Sequence, residues 1–129
     1  MSNEQLEKNK ALVARLMEEF FTGPPRQKIN QDVLHELVHD DYIQHNPLAG
    51  QGPEGLRNFL ENIYFNMDSA MIESKQLFVN MIAEGDMVVR QEVREGWMLI
   101  DIFRIKDGQL AEHWDALRPE PGFERPQGF

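Results

Sequence analysis

The sequence predicts one α+β domain, with helices first and an antiparallel sheet after them. Three observations carry this. Apolar residues recur at three- and four-residue spacings up to about Met67, β-rich runs fill residues 71–117, and glycine-centred turns punctuate those runs. A chain of 129 residues can bury one sizeable core and is too short for two. The domain is expected to cover residues 1–118, with 119–129 as a tail.

The first helix is read over residues 3–21, where Leu6, Val13, Leu16, Met17 and Phe20 form one stripe, Ser2 or Asn3 caps and Gly23-Pro24-Pro25 stops it. A second, over Gln31–His39, starts on the Asn30 cap and buries Val33, Leu34, Leu37 and Val38. YIQHNPLAGQGPEG at 42–55 lacks a helical period and is rich in turn formers, which predicts a short extended piece and a loop. Pro53 then suits the first turn of a third helix carrying Leu56, Phe59, Leu60 and Ile63. Strands are expected at Met71–Ala83, Met87–Arg94, Trp97–Ile105 and Leu110–Leu117. Glu84-Gly85-Asp86, Glu95-Gly96 and Lys106-Asp107-Gly108 supply the turns between them. The tail, rich in Pro and Gly, has no period and reads as a loose strap.

Charge and composition exclude several functions. Thirteen basic against twenty-two acidic residues give a net charge of −9, which repels nucleic acid and anionic lipid surfaces. No apolar run approaches the roughly 18 residues of a membrane span. Without cysteine there is no disulfide, iron–sulfur cluster or thiolate nucleophile. The N-terminus mixes charges through its apolar positions, unlike a signal peptide, so a cytoplasmic protein is expected.

The closing hairpin, DIFRIKDGQLAEHWD, carries the most chemistry. A type I turn with Gly108 in a bulge position sets Asp101 opposite His113; a two-residue type I′ turn at Asp107-Gly108 sets Ile102 opposite His113 instead. The first register is favoured because it gathers Trp97, Leu99, Asp101, Phe103, Ala111, His113 and Asp115 on one face. In it Asp101 fixes the imidazole tautomer of His113 and leaves the other ring nitrogen to move a proton, with Asp115 as a second acid or base. The competing reading is a polar network that only satisfies itself in the core. Ile100, Ile102 and Trp114 fall on the other face, which implies that a second copy covers it.

YIQHNP at 42–47, GPEGL at 52–56, DIFR at 101–104, DG at 107–108 and EHWD at 112–115 together resemble the SnoaL-like polyketide cyclases of the nuclear-transport-factor-2-like superfamily. The resemblance covers about residues 6–118. It implies a cone-shaped pocket between three helices and a curved antiparallel sheet, a cystatin-like α+β barrel, usually in a homodimer. It puts His45, Asp101, His113 and Asp115 in the polar part of that pocket. Tyr42, Gln44, Phe59, Trp97 and Phe103 are read either as lining of the cavity or as plain core. Where many relatives carry a histidine on the strand after the Gly-Asp turn, this chain has Arg90 or Gln91. Arg90 is read either as holding an anionic ligand group or as pairing with a surface carboxylate.

Two functions are expected from these residues. One is a cofactor-independent enzyme that moves protons in aldol cyclisation or isomerisation of a small apolar carbonyl compound. The other is a module that binds a small hydrophobic ligand without changing it. His35-Glu36-Leu37-Val38-His39 matches the helical zinc motif H-E-x-x-H, but Leu37 and Val38 are needed in the core, and no metal is expected.

Overall fold

The computed structural model of the chain describes residues 2–21, 30–46, 49–66 and 73–119. Three helices, α1 (Asn3–Phe21), α2 (Gln31–Leu37) and α3 (Gly52–Asn66), accompany five strands: β1 (Val38–Gln44), β2 (Gln76–Glu84), β3 (Met87–Arg94), β4 (Trp97–Lys106) and β5 (Gln109–Pro119). The strands form one curved sheet in the order β1-β5-β4-β3-β2, which is not closed into a barrel. Among the described residues, no helix is long and apolar enough to cross a membrane.

The helices lie on one face of the sheet. Val13, Leu16 and Phe20 of α1, Leu34 and Leu37 of α2, and Leu56 and Leu60 of α3 join Val88, Phe103, Ile105 and Leu110 in a single core cluster. As expected, Asn30 caps α2, its side chain accepting from the backbone N–H groups of Asp32 and Val33. The helix ends two residues earlier than expected, at Leu37 rather than His39. Val38 adopts extended φ/ψ of −114° and 127°, its N–H closes on Leu34 O, and the chain runs straight into β1. β2 also begins late, because Glu73 and Ser74 lie in a turn and a bend before it; the predicted start at Met71 and the tail from residue 120 lie outside the described residues.

The sheet departs from a pure antiparallel meander. β1 runs parallel to β5, pairing Val38 with Leu110 and Gln44 with His113. The closing hairpin combines features of both predicted registers. Asp107 and Gly108 have φ of 53° and 73°, the two left-handed positions of a type I′ turn, and Lys106 pairs with Gln109. One extra residue then enters β5, because Ile105 pairs with Leu110 while Arg104 pairs with Glu112. This bulge turns both Leu110 and Ala111 inward, and beyond it Phe103 faces His113 and Asp101 faces Asp115. Relative to the favoured prediction the pairing has moved by two residues, which keeps Asp101, Phe103, His113 and Asp115 on their predicted face.

On the helix-covered face the cross-strand rows are ordered by polarity. Val88, Phe103 and His113 form one row, Arg90, Asp101 and Asp115 the next, and Glu92, Leu99 and Leu117 the third. The opposite face carries an apolar row across four strands: Ile82, Val89, Ile102 and Trp114.

Candidate functional site

Where the apolar core gives way to the polar rows, β1, β4 and β5 bring five polar side chains together. His113 Nε2 lies 2.9 Å from Asp101 Oδ1, and His113 Nδ1 lies 3.1 Å from Gln44 Oε1. Gln44 Nε2 donates to the Tyr42 hydroxyl at 3.1 Å. Asp115 Oδ2 stands 3.9 Å from His113 Nδ1, beyond hydrogen-bonding range. The side chains of Asp101, His113 and Asp115 are each only 7% exposed, and the ring of Phe103 packs at 4.6 Å from the imidazole.

Counting protons fixes the role of each group. Gln44 Oε1 also accepts the backbone N–H groups of His45 at 3.1 Å and Asn46 at 3.3 Å, so it is an acceptor and His113 Nδ1 must carry a proton. The Nε2–Asp101 contact holds one more proton, whether it sits on nitrogen or on oxygen. In either placement the imidazole has no lone pair left for a substrate. The nitrogen expected to be free is tied to Gln44, so His113 holds its neighbours in place rather than acting as a base while these contacts hold.

Asp115 is the group left over. Among the described residues, its Oδ2 is the only buried side-chain polar atom without a hydrogen-bond partner. Burial, the largest cause, pushes its carboxyl up to about 6; the neighbouring His113 opposes this and the Asp101 charge adds to it. A carboxyl of that pKa can take and return a proton near neutrality. Tyr42 is 2% exposed, and burial followed by the charges of Asp101 and Asp115 raises its phenol well above the ordinary range. It therefore stays a phenol, and its O–H remains a hydrogen-bond donor.

The remaining predicted residues divide between the faces. Phe59 and Trp97 are buried, and Trp97 donates to Ser74 Oγ at 2.9 Å. Arg90 is buried on the polar face, while Gln91 points to the other, where it bonds Asn80 and Met98. His45 also departs from expectation. It stacks on Trp114 with ring centroids 4.6 Å apart and binds Glu112 at 2.6 Å, on the outer face and away from His113. Both corrections follow from strand alternation: Gln44 and Arg90 point inward, so their chain neighbours point outward. The structure adds two residues that the sequence reading passed over, Glu92 and Arg94. Their signal was present, since R-x-E-x-R at 90–94 sets three charges on one face of a strand.

Asp101, His113 and Asp115 can offer one ligand atom each within 4.8 Å of one another, and a cation held there would displace the His113–Asp101 hydrogen bond. The H-E-x-x-H segment cannot form the helical zinc site, because His35 lies on α2 and His39 on β1. His35 faces Glu54 at 3.5 Å, and His39 Nδ1 accepts the Asp41 N–H at 3.0 Å.

Comparison with known proteins agrees with this architecture. TsrD from Streptomyces laurentii is 26% identical, with a TM-score of 0.57 over 84% of this chain and 89% of its own. A candidate polyketide cyclase from Bacillus cereus superposes with a TM-score of 0.65 at 18% identity, over 91% of this chain and 78% of its own. A candidate SnoaL-like polyketide cyclase from a Jannaschia species gives 0.64 at 19% identity, over 91% and 90%. No curated protein matches the chain at a significant level. The model of the SnoaL-like domain matches residues 13–113, most of the chain and both members of the Asp101–His113 pair, and the protein belongs to that family.

Proposed function

We propose that the domain is a cofactor-independent proton-transfer enzyme acting on a small, largely apolar compound with an enolisable carbonyl, and that Asp115 is its base. The carrying observation is the buried, unpartnered Asp115 Oδ2. Asp115 would remove a proton beside the carbonyl and return it at another position, or leave an enolate to attack a second carbonyl in aldol closure. The Tyr42 hydroxyl would donate to the developing oxyanion, where a preorganised donor gains most in a dry site. His113, pinned between Gln44 and Asp101, would hold positive charge beside Asp115 and keep the ionised carboxylate in place.

The test is deuterium incorporation into 2-tetralone, an apolar enolisable ketone, in deuterium oxide. Exchange is expected to exceed the buffer rate, to survive chelator, and to fall by about 10²- to 10⁴-fold in Asp115→Asn, the usual contribution of a positioned base. Retention of the ketone without exchange would instead make the domain a ligand-binding module.

The outer sheet face supports a second copy of this chain as partner. Phe78 and Ile82 are 48% and 65% exposed there, and Ile82 opens the apolar row through Trp114. Light scattering is expected to give a dimer for the native chain and a monomer for Ile82→Asp. A native monomer would dismiss the pairing.

A further inference from the structure

A second charged group lies one strand away from the proton-transfer residues. Arg90 pairs across β3 and β4 with Asp101, in the row that ends at Asp115. It is 9% exposed, so its guanidinium has lost most of its water. Of the five N–H donors an arginine carries, only those of Nη1 have a partner among the described residues, Glu92 Oε1 at 2.9 Å. Asp101, its cross-strand neighbour, is turned toward His113.

Glu92 does not neutralise this arginine. Its other oxygen accepts from Arg94 Nε at 2.7 Å, so one carboxylate serves two guanidinium groups. Burial opposes ionisation of Glu92, yet the two arginines outweigh it and its pKa is lowered, which fixes the charge of the trio at +1. Arg94 is held elsewhere as well: it donates to Ser74 O at 2.7 Å and lies over the Trp97 ring. The spare donors therefore lie on Arg90. A buried guanidinium with spare donors is costly unless an acceptor arrives, and a carboxylate fits its planar fork with two parallel hydrogen bonds.

We propose that Arg90 is the anion subsite of this domain, and that its substrates are small carbonyl compounds bearing a carboxylate. Strands lie about 4.8 Å apart, so Arg90 and Asp115, two strands removed in one row, are separated by about 10 Å at the backbone. The carboxylate and the reacting carbon would sit a few bonds apart on one molecule. The catalytic part of this statement rests on the proton-transfer reading; the binding part does not.

The experiment compares 3-phenylpropanoate with 3-phenylpropanol by titration calorimetry at constant ionic strength, since neither molecule can react. The carboxylate is expected to bind about 10- to 100-fold more tightly, the range of one charge-assisted contact. Arg90→Gln should erase that difference, while Arg90→Lys should keep part of it. Asp115→Asn should retain it in full, so a failure of the base assignment leaves this result standing. Equal binding of the two molecules by the native protein, binding of neither, or a preference that survives in folded Arg90→Gln would each overturn the subsite. If Arg90→Gln does not fold, the native comparison and Arg90→Lys still decide.

Discussion

Replacing Asp115 by asparagine is expected to make the protein more stable above pH 6 while removing the proposed proton-transfer activity. The Asp115 carboxyl, ordinarily at 3.8, is raised to about 6 in the fold, chiefly by burial. The folded state thus binds this proton more tightly than the unfolded chain does. Ionisation therefore costs stability, beginning as the pH passes the unfolded value and complete once it exceeds about 6. A shift of this size corresponds to about 2–3 kcal/mol. Asparagine has the same shape and no ionisation to pay for, so urea unfolding should show the two proteins diverging between about pH 4 and 6 and staying apart above it. Groups shared by both proteins cancel in the difference. Equal stability at pH 7.5, or a variant weaker than the native chain, would mean that Asp115 is a satisfied structural carboxylate. Stability gained together with activity lost is the signature of a group kept for chemistry.

How much of this site the sequence discloses depends on which constraint sets each feature. The faces of β4 and β5 are legible because side chains alternate with period two, and a pairing error of two residues leaves that parity intact. Alternation therefore places Asp101, His113 and Asp115 on one face even though the bulge at Leu110 and Ala111 shifts their pairing. Asp107-Gly108 announces its turn, whereas nothing in Gln109-Leu110-Ala111 announces an extra residue; that bulge answers to the core, which takes both apolar side chains. Parity also explains the misplacements, since His45 was grouped with Gln44, and Gln91 with Arg90, although adjacent strand residues face opposite ways. The parallel pairing of β1 with β5 joins Gln44 to His113 across the chain without a turn to mark it. For that reason the contact that occupies His113 Nδ1, and on which the proposal of Asp115 as base rests, is visible only in three dimensions.

The largest destabilisation is expected from removing His113. In His113→Leu, Asp101 loses its hydrogen-bond partner while still facing Asp115 across β4 and β5, which leaves two buried carboxyl groups without the imidazole that holds one of them. Breaking a buried pair from one side costs about 3–5 kcal/mol. The penalty belongs to the charged forms, so it should be greatest at pH 7 and shrink toward pH 5 as Asp115, whose carboxyl burial already raises to about 6, takes up a proton. Gln44 is not orphaned by the change, because its oxygen keeps the N–H groups of His45 and Asn46. The double variant Asp101→Leu/His113→Leu removes both ends of the pair, and apolar replacement of a whole buried pair is often close to neutral. It should therefore be more stable at pH 7 than the single His113→Leu variant by about 2 kcal/mol or more. Denaturant titrations of the three proteins at pH 5 and 7 measure both differences. If the single variant were equally weak at both pH values, lost packing against Phe103 rather than uncompensated charge would account for it. If the double variant gained nothing, the Asp101–His113 contact would carry no coupling, and the charge balance on which the Asp115 assignment depends would have to be redrawn.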